Sequence, residues 1–414
     1  MISRRIFMKD GGVAVLGLSM VPGFVYRAAM AARPKPGSRK TLVTIFQRGG
    51  VDGLNVVVPF GDKAYYEHRS SIAIPEPKAD RTSALDLDGF FGLNPAMAPL
   101  HPLFKRGELA IIHATGSPHS TRSHFEAQDY MESAVPGNKT VRDGWLNRYV
   151  HANQHPEATS FRAVAMGQVV PRALEGTAPA LALGNLMAAG ADVEQRQTMY
   201  ESMYDQDNST LLSGTSKEMY EAIKQLKETS PEKYTPAEGV RYPGGVFGAN
   251  LRNLAQLIKA DLGVEVAFVD IGGWDTHANQ GSIPGTGVLP QRLGQFAQAI
   301  AAFRADLDKR MDDVVLLTMS EFGRTARENG NGGTDHGKAN VMFVLGSGVK
   351  GGKVYGDWPG LDREHLNEDR DLKMTTDFRD VFAEVLVGHL GCEDPDVVFP
   401  GLTTDKRRFR GVLG

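Results

Sequence analysis

Residues 314–346, VVLLTMSEFGRTARENGNGGTDHGKANVMFVLG, constrain the fold more than any other stretch. An apolar run at 314–319 ends in Ser320-Glu321. A Gly/Asn-rich loop then delivers Thr334-Asp335-His336-Gly337 ahead of a second apolar run at 341–345. Short β-branched or apolar runs bounded by turn residues are the pattern of buried strands, and polar groups released at their ends sit where α/β sheets hold ligands. Carboxylate and imidazole groups at such an edge suit a divalent cation. Turn chemistry accounts equally well for Asp335 and His336 taken alone.

The rest of the chain repeats this alternation. Strands are predicted at 41–47, 109–113 and 264–270. Helices are predicted at 94–105, from a Ser123-x-x-Glu126 capping box through Met131, and at 248–262, 293–309 and 376–390. The order implies an α/β fold with a mostly parallel sheet and helices on both faces, in one domain spanning 32–414. A chain of 414 residues that is 41% hydrophobic can bury such a core. Residues 190–245, rich in Met, Tyr, Glu and Lys, read as a helical insertion or lid whose Met and Tyr side chains pack rather than bind a cofactor. A net charge of −3 without a basic run gives no basis for nucleic-acid binding.

The amino terminus reads as an export signal. Ser3-Arg4-Arg5-Ile6-Phe7-Met8-Lys9 precedes a weakly apolar stretch at 11–25 and the small-x-small triplet Ala29-Met30-Ala31. Paired arginines, a short apolar core and that triplet describe a twin-arginine signal over residues 1–31, too short and Gly-rich to cross a bilayer stably. The expected partner is the twin-arginine translocation machinery, the expected location periplasmic or extracellular, and the mature chain is expected to lack a stable membrane span. Cys392 is the one cysteine, so no intrachain disulfide can form.

Several side chains outside 314–346 carry the same chemistry. Asp52 leaves the first strand in RGGVDG, and Asp275 and His277 follow a strand in GGWDTH, where an extended backbone points both to one side. Ser120 falls in the approach to a helix amino terminus, where unpaired N–H groups favour an anion and ease alkoxide formation. A turn role for each Asp and a capping role for Ser120 remain open readings. No G-x-S-x-G elbow surrounds any serine, which disfavours a triad hydrolase.

Together RGGVDGLN, PHSTRSHF, GWDTH, SEFGRT and TDHGKAN resemble a bacterial family catalogued as domain of unknown function fifteen-oh-one, over essentially the whole mature chain. More broadly the chain looks like the alkaline phosphatase and sulfatase superfamily, with its cofactor-independent mutases. That resemblance implies an alkaline-phosphatase-like fold and a metal-dependent hydrolase of small-molecule or glycan phosphate or sulfate esters. It makes Asp52 a metal-binding carboxylate and Ser120 the nucleophile, with Ser123 where the mutases have Gly before His124. Asp275 and His277 lie two apart where members space such ligands by four, which leaves Asp270 as an alternative. Asp335-His336-Gly337 is similar to the mutases' Asp-His-Gly. The preferred alignment instead matches Ser320-Glu321-Phe322-Gly323 to that motif, with Glu321 as carboxylate, Phe322 in place of a histidine, and His336 as the final histidine. On this reading a divalent metal ion is held by some of Asp52, Asp275, His277, Glu321, Asp335 and His336. Arg48 or Arg122 clamps the anion, and His119 and His124 serve as leaving-group acid or orienting groups. Phe322 also supports an alternative, a non-catalytic exported binding protein on a degenerate version of the fold.

Overall fold

The structure, a computed structural model, describes residues 39–155, 158–184 and 234–413. The stretch expected to be a leader, 1–31, and most of that expected to be an insertion, 190–245, lie outside the described residues.

Among the described residues nine strands share one sheet: β1 (Thr41–Arg48), β2 (Leu109–Gly116), β3 (Ala163–Ala165), β4 (Leu181–Ala182), β5 (Val266–Gly272), β6 (Val314–Met319), β7 (Asn340–Leu345), β8 (Lys353–Tyr355) and β9 (Thr376–Asp377). Their order is β8-β2-β7-β6-β1-β5-β3-β4, with β9 also pairing β2. Every pair is parallel except those of β7, which runs antiparallel to β6 and β2. The cause is local. Parallel strands need a long crossover, usually helical, and residues 320–339 between β6 and β7 contain no helix, so the chain doubles back. The carboxyl ends of β1, β2, β5 and β6 and the amino end of β7 therefore share one rim.

Helices cover both faces, as the alternation of elements predicts. They are α1 (His124–Ser133), α2 (Trp145–Ala152), α3 (Val246–Lys259), α4 (Val288–Leu307) and α5 (Phe378–Gly388). Period-two geometry divides β1 between two cores. Val43 and Ile45 pack with Leu254, Phe296 and Phe303 of α3 and α4. Leu42 and Phe46 pack on the other face with Trp145 and Phe382 of α2 and α5. Among the described residues no helix is long and apolar enough to cross a membrane.

Two local expectations fail. The helix predicted at 94–105 splits into a 3-10 turn, Pro95–Leu100, and a short α-helix, His101–Lys105. Pro99 and Pro102 supply no backbone N–H for a continuous ladder, and Met97 sits at φ −94°, ψ 18°. The Ser123–Glu126 capping box does not form either. Ser123 occupies the N-cap position without a side-chain hydrogen bond, while Glu126 accepts from the Thr121 hydroxyl at 2.8 Å and pairs with Lys139. At the described end of the insertion, the Tyr234 and Tyr242 hydroxyls donate to Asp306 of α4 at 2.6 and 2.9 Å, a packing role.

Candidate metal centre

Three imidazoles converge on one carboxylate at the shared rim. Asp275 follows β5, His277 lies two residues on, His336 precedes β7, and His124 opens α1. Donor atoms of His124, Asp275 and His336 lie within 4.8 Å of one another. His277 Nε2 is 3.0 Å from His336 Nε2 and 3.0 Å from Asp275 Oδ1. His336 Nε2 is 3.2 Å from the same oxygen, and His124 Nε2 is 3.4 Å from Asp275 Oδ2.

Each ring is oriented by an acceptor at its other nitrogen. His124 Nδ1 faces Glu321 Oε1 at 2.8 Å, His277 Nδ1 faces Asp335 Oδ1 at 2.9 Å, and His336 Nδ1 faces the Arg122 carbonyl at 2.8 Å. An acceptor at Nδ1 assigns the proton there and leaves the Nε2 lone pair for a cation. Two such lone pairs confront each other at 3.0 Å between His277 and His336. His124 Nε2 is buried and, among the described residues, makes no hydrogen bond, its 3.4 Å approach to Asp275 being too poorly aligned for one. A divalent cation resolves both conditions, and an N/O donor set of imidazoles and a carboxylate suits transition metals such as zinc.

The electrostatics agree. Burial opposes ionisation of Asp275, but hydrogen bonding and attraction from the Arg324 guanidinium hold its carboxyl at about 2. Burial likewise opposes the Glu321 charge and is outweighed by hydrogen bonds from His124 and Gln128. The hydrogen bond from His277 lowers the Asp335 carboxyl. The contact with Glu321 raises the His124 imidazole, whereas burial lowers that of His336.

Other expected site residues occupy different positions. Asp52 is buried and fully engaged. Its oxygens accept from Arg69 at 2.6 and 2.9 Å and from Gln280 at 2.6 Å, so the geometry commits it to an ion pair apart from the imidazoles. Glu321 and Asp335 orient histidines rather than face the shared centre. Asp270 pairs with Arg48 at 2.8 Å and takes no part, which leaves Asp275 as the acidic group beside His277. Arg48 also binds Glu132 at 2.8 Å and Gln128 at 3.1 Å. Gln128 in turn donates to Glu321 at 2.9 Å, so Arg48 reaches the centre only indirectly. Arg122 contributes its carbonyl, while its guanidinium binds Asp371 and Glu368. His119 packs edge-on against Tyr130 at 4.9 Å. Ser120 is exposed, makes no hydrogen bond among the described residues, and lies two residues before the carbonyl that holds His336. Phe322 presents an apolar ring to His124 and His336, with centroids at 4.9 and 4.7 Å.

Arg324 is the group that sequence reasoning missed. Its side chain is fully buried and donates to the carbonyls of Gly49, Gly50, Trp274 and Thr334 and, at 2.7 Å, to Asp275. One guanidinium thus ties the exits of β1 and β5 to the loop before β7. Gly49 permits that approach. Its φ is +125°, and a Cβ there would lie 2.7 Å from the Asp275 nitrogen. Nothing in the spacing of SEFGRT marks Arg324 as buried.

Fold and site together define an α/β protein with a candidate divalent-metal centre at the carboxyl rim of a mostly parallel sheet. The chain belongs to the family described as "Protein of unknown function (DUF1501)", which matches residues 39–399. No curated protein matches the chain. Among solved structures it is similar to the PsFucS1 sulfatase from Pseudoalteromonas sp., at 13% identity over 91% of this chain and 72% of that one, with a TM-score of 0.39. A protein in the alkaline phosphatase superfamily from Vibrio parahaemolyticus matches at 10% identity over 90% and 75% of the two chains, TM-score 0.37. A phosphonate monoester hydrolase of Agrobacterium radiobacter matches at 9% identity over 84% and 73%, TM-score 0.34.

Proposed function

We propose that the protein is an exported, metal-dependent hydrolase of phosphate or sulfate esters. The observation that carries this reading is the convergence of His124, His277 and His336 on Asp275, each ring oriented from behind. These four residues would hold one divalent ion, which when bound would neutralise ester oxygens and activate a nucleophile. Glu321, Asp335 and the Arg122 carbonyl keep the imidazoles turned inward and raise their basicity. Ser120 is the proposed nucleophile. Its hydroxyl is open to solvent and unpaired, on the loop that passes His336, so an ester can reach it without displacing an internal contact. Asp52, neutralised by Arg69, is left out of the ligand set. Residues 1–31 are proposed as a twin-arginine leader, and a reporter fused to that leader should stay in the cytoplasm when Arg4 and Arg5 are both changed to Lys.

Elemental analysis of protein purified without added ions tests the centre. About one divalent ion per chain is expected, and its absence in a His336→Ala variant. A Ser120→Ala protein that cleaved a panel of sulfate and phosphate esters as fast as the parent would remove the nucleophile. The commitment of Asp52 to Arg69 and the apolar Phe322 ring favour a second reading, a binding protein that holds an anion at the same ion. Tight anion binding without turnover of any ester would select it.

A further inference from the structure

A cavity of about 460 Å³ shares a wall with the candidate centre. Asp335, which orients His277, is one of its lining residues, and so are Arg327, Arg363 and Arg370. Its volume lies within the range of small-molecule sites, roughly 300–1,000 Å³.

Three guanidiniums and three carboxylates line it, so its formal charges balance, but its hydrogen-bonding groups are not equally engaged. Three carboxylates line the cavity, and each is already engaged. Glu328 accepts from Ser70, Ser71 and Ile72 at 2.8 to 3.1 Å. Asp335 accepts from His277 at 2.9 Å and Asn329 at 3.2 Å. Asp369 binds Arg363 at 3.1 Å. The guanidiniums of Arg327 and Arg370 remain. Arg327 is exposed and makes no side-chain hydrogen bond or ion pair among the described residues, and Arg370 makes no side-chain hydrogen bond there, approaching Asp371 at 3.7 Å and attracting the Asp335 and Glu368 carboxylates from further off. Planar forks with unused donors match phosphate and sulfate oxygens.

We infer that this cavity is an anion subsite, in which Arg327 and Arg370 receive a second phosphate or sulfate group carried on the part of the substrate remote from the scissile ester. The substrate class is then a doubly anionic ester, such as a bisphosphorylated or multiply sulfated sugar. Assignment to a substrate rests on the hydrolase reading. Binding of an anion to the cavity does not.

Calorimetric titration with inorganic phosphate separates the two. The parent protein and a His336→Ala variant should both bind phosphate in the cavity. Arg327→Ala, which removes no side-chain hydrogen bond or ion pair among the described residues, should weaken that binding about tenfold, the scale of one charge-assisted hydrogen bond. The Arg327→Ala/Arg370→Ala pair should weaken it further. Parent-like binding by the double variant, or loss of all phosphate binding in His336→Ala, overturns the subsite. Kinetically, the double variant should raise KM for a hexose bisphosphate about tenfold, from the same interaction scale, and leave KM for 4-nitrophenyl phosphate unchanged. Equal changes for both esters overturn it as well. A parent protein that turns over neither ester sinks the hydrolase reading, and the phosphate titration still decides the cavity.

Discussion

Arg324 and Glu321 show how much of the centre depends on side chains that touch no substrate. The Arg324 guanidinium is completely buried among four carbonyls and Asp275. Removing it strands those buried carbonyls, while the half-exposed Asp275 keeps its imidazole neighbours and its hydration. Arg324→Met should therefore lower unfolding stability by at least about 1–3 kcal/mol, the usual scale for leaving a buried acceptor unpaired, as measured by urea denaturation. Glu321→Gln keeps the volume but removes the charge behind His124. Metal affinity should fall roughly 10–100-fold with thermal stability of the metal-free protein far less affected, checked by competition with a chromogenic chelator. Equal affinity in the variant would show that His124 needs no such support.

At the scale of elements, the site exists because strand exits come unusually close. Gly49 at the end of β1 touches the backbone of Asp275 after β5, and a Cβ on Gly323 after β6 would lie 1.8 Å from the Ala339 carbonyl before β7. Neither neighbour is a side chain that can swing away. Gly49→Ala also demands a left-handed-side φ of +125°, where a side chain costs on the order of 1–3 kcal/mol before any clash is counted. Both Gly49→Ala and Gly323→Ala should lose bound metal and unfold at lower temperature, read by elemental analysis and calorimetry. Unchanged metal content in either would mean the rim tolerates wider spacing than its contacts suggest.

For the molecule as a whole, part of the acid stability should be set away from the rim. Burial disfavours the Glu265 charge, yet hydrogen bonds from His155 and Arg162 outweigh it and hold the carboxyl at about 2 against an ordinary 4.5. A carboxyl depressed in the folded state stabilises the fold above its unfolded pKa, and the contribution disappears as pH falls through the folded value. Between pH 4.5 and 2 the protein should lose roughly 3 kcal/mol from this group, at 1.36 kcal/mol per unit. Glu265→Gln should flatten that part of the stability curve, measured by urea titrations at several pH values. Metal should act globally too. A chelator is expected to lower the unfolding midpoint of the parent and leave His336→Ala unmoved, since an ion bound only by the folded chain stabilises by about 2.7 kcal/mol at a hundredfold excess over Kd.

Local chemistry was sufficient to reveal the five longest strands, β1, β2, β5, β6 and β7, while the short strands β3, β4, β8 and β9 escaped it. Residues 314–319 are β-branched and apolar because β6 is buried on both faces, so both its position and its burial could be read directly. The same alternation of strand and helix announced the parallel sheet, and the polar groups at strand exits announced a rim worth inspecting. Which of those groups meet was decided by tertiary structure. Asp52 and Asp275 have the same side chain and similar Gly-rich surroundings, but Arg69 and Gln280 surround one while three imidazoles and Arg324 surround the other. Helix 94–105 failed for a related reason, since an amphipathic pattern does not outweigh prolines that cannot complete the ladder. Periodicity along a chain reports burial, a property each residue carries with its neighbours in sequence. Partnership between polar groups is fixed by residues distant in sequence, 228 apart for Gln280 and Asp52 and 197 for His124 and Glu321, and only the closed sheet brings them within reach.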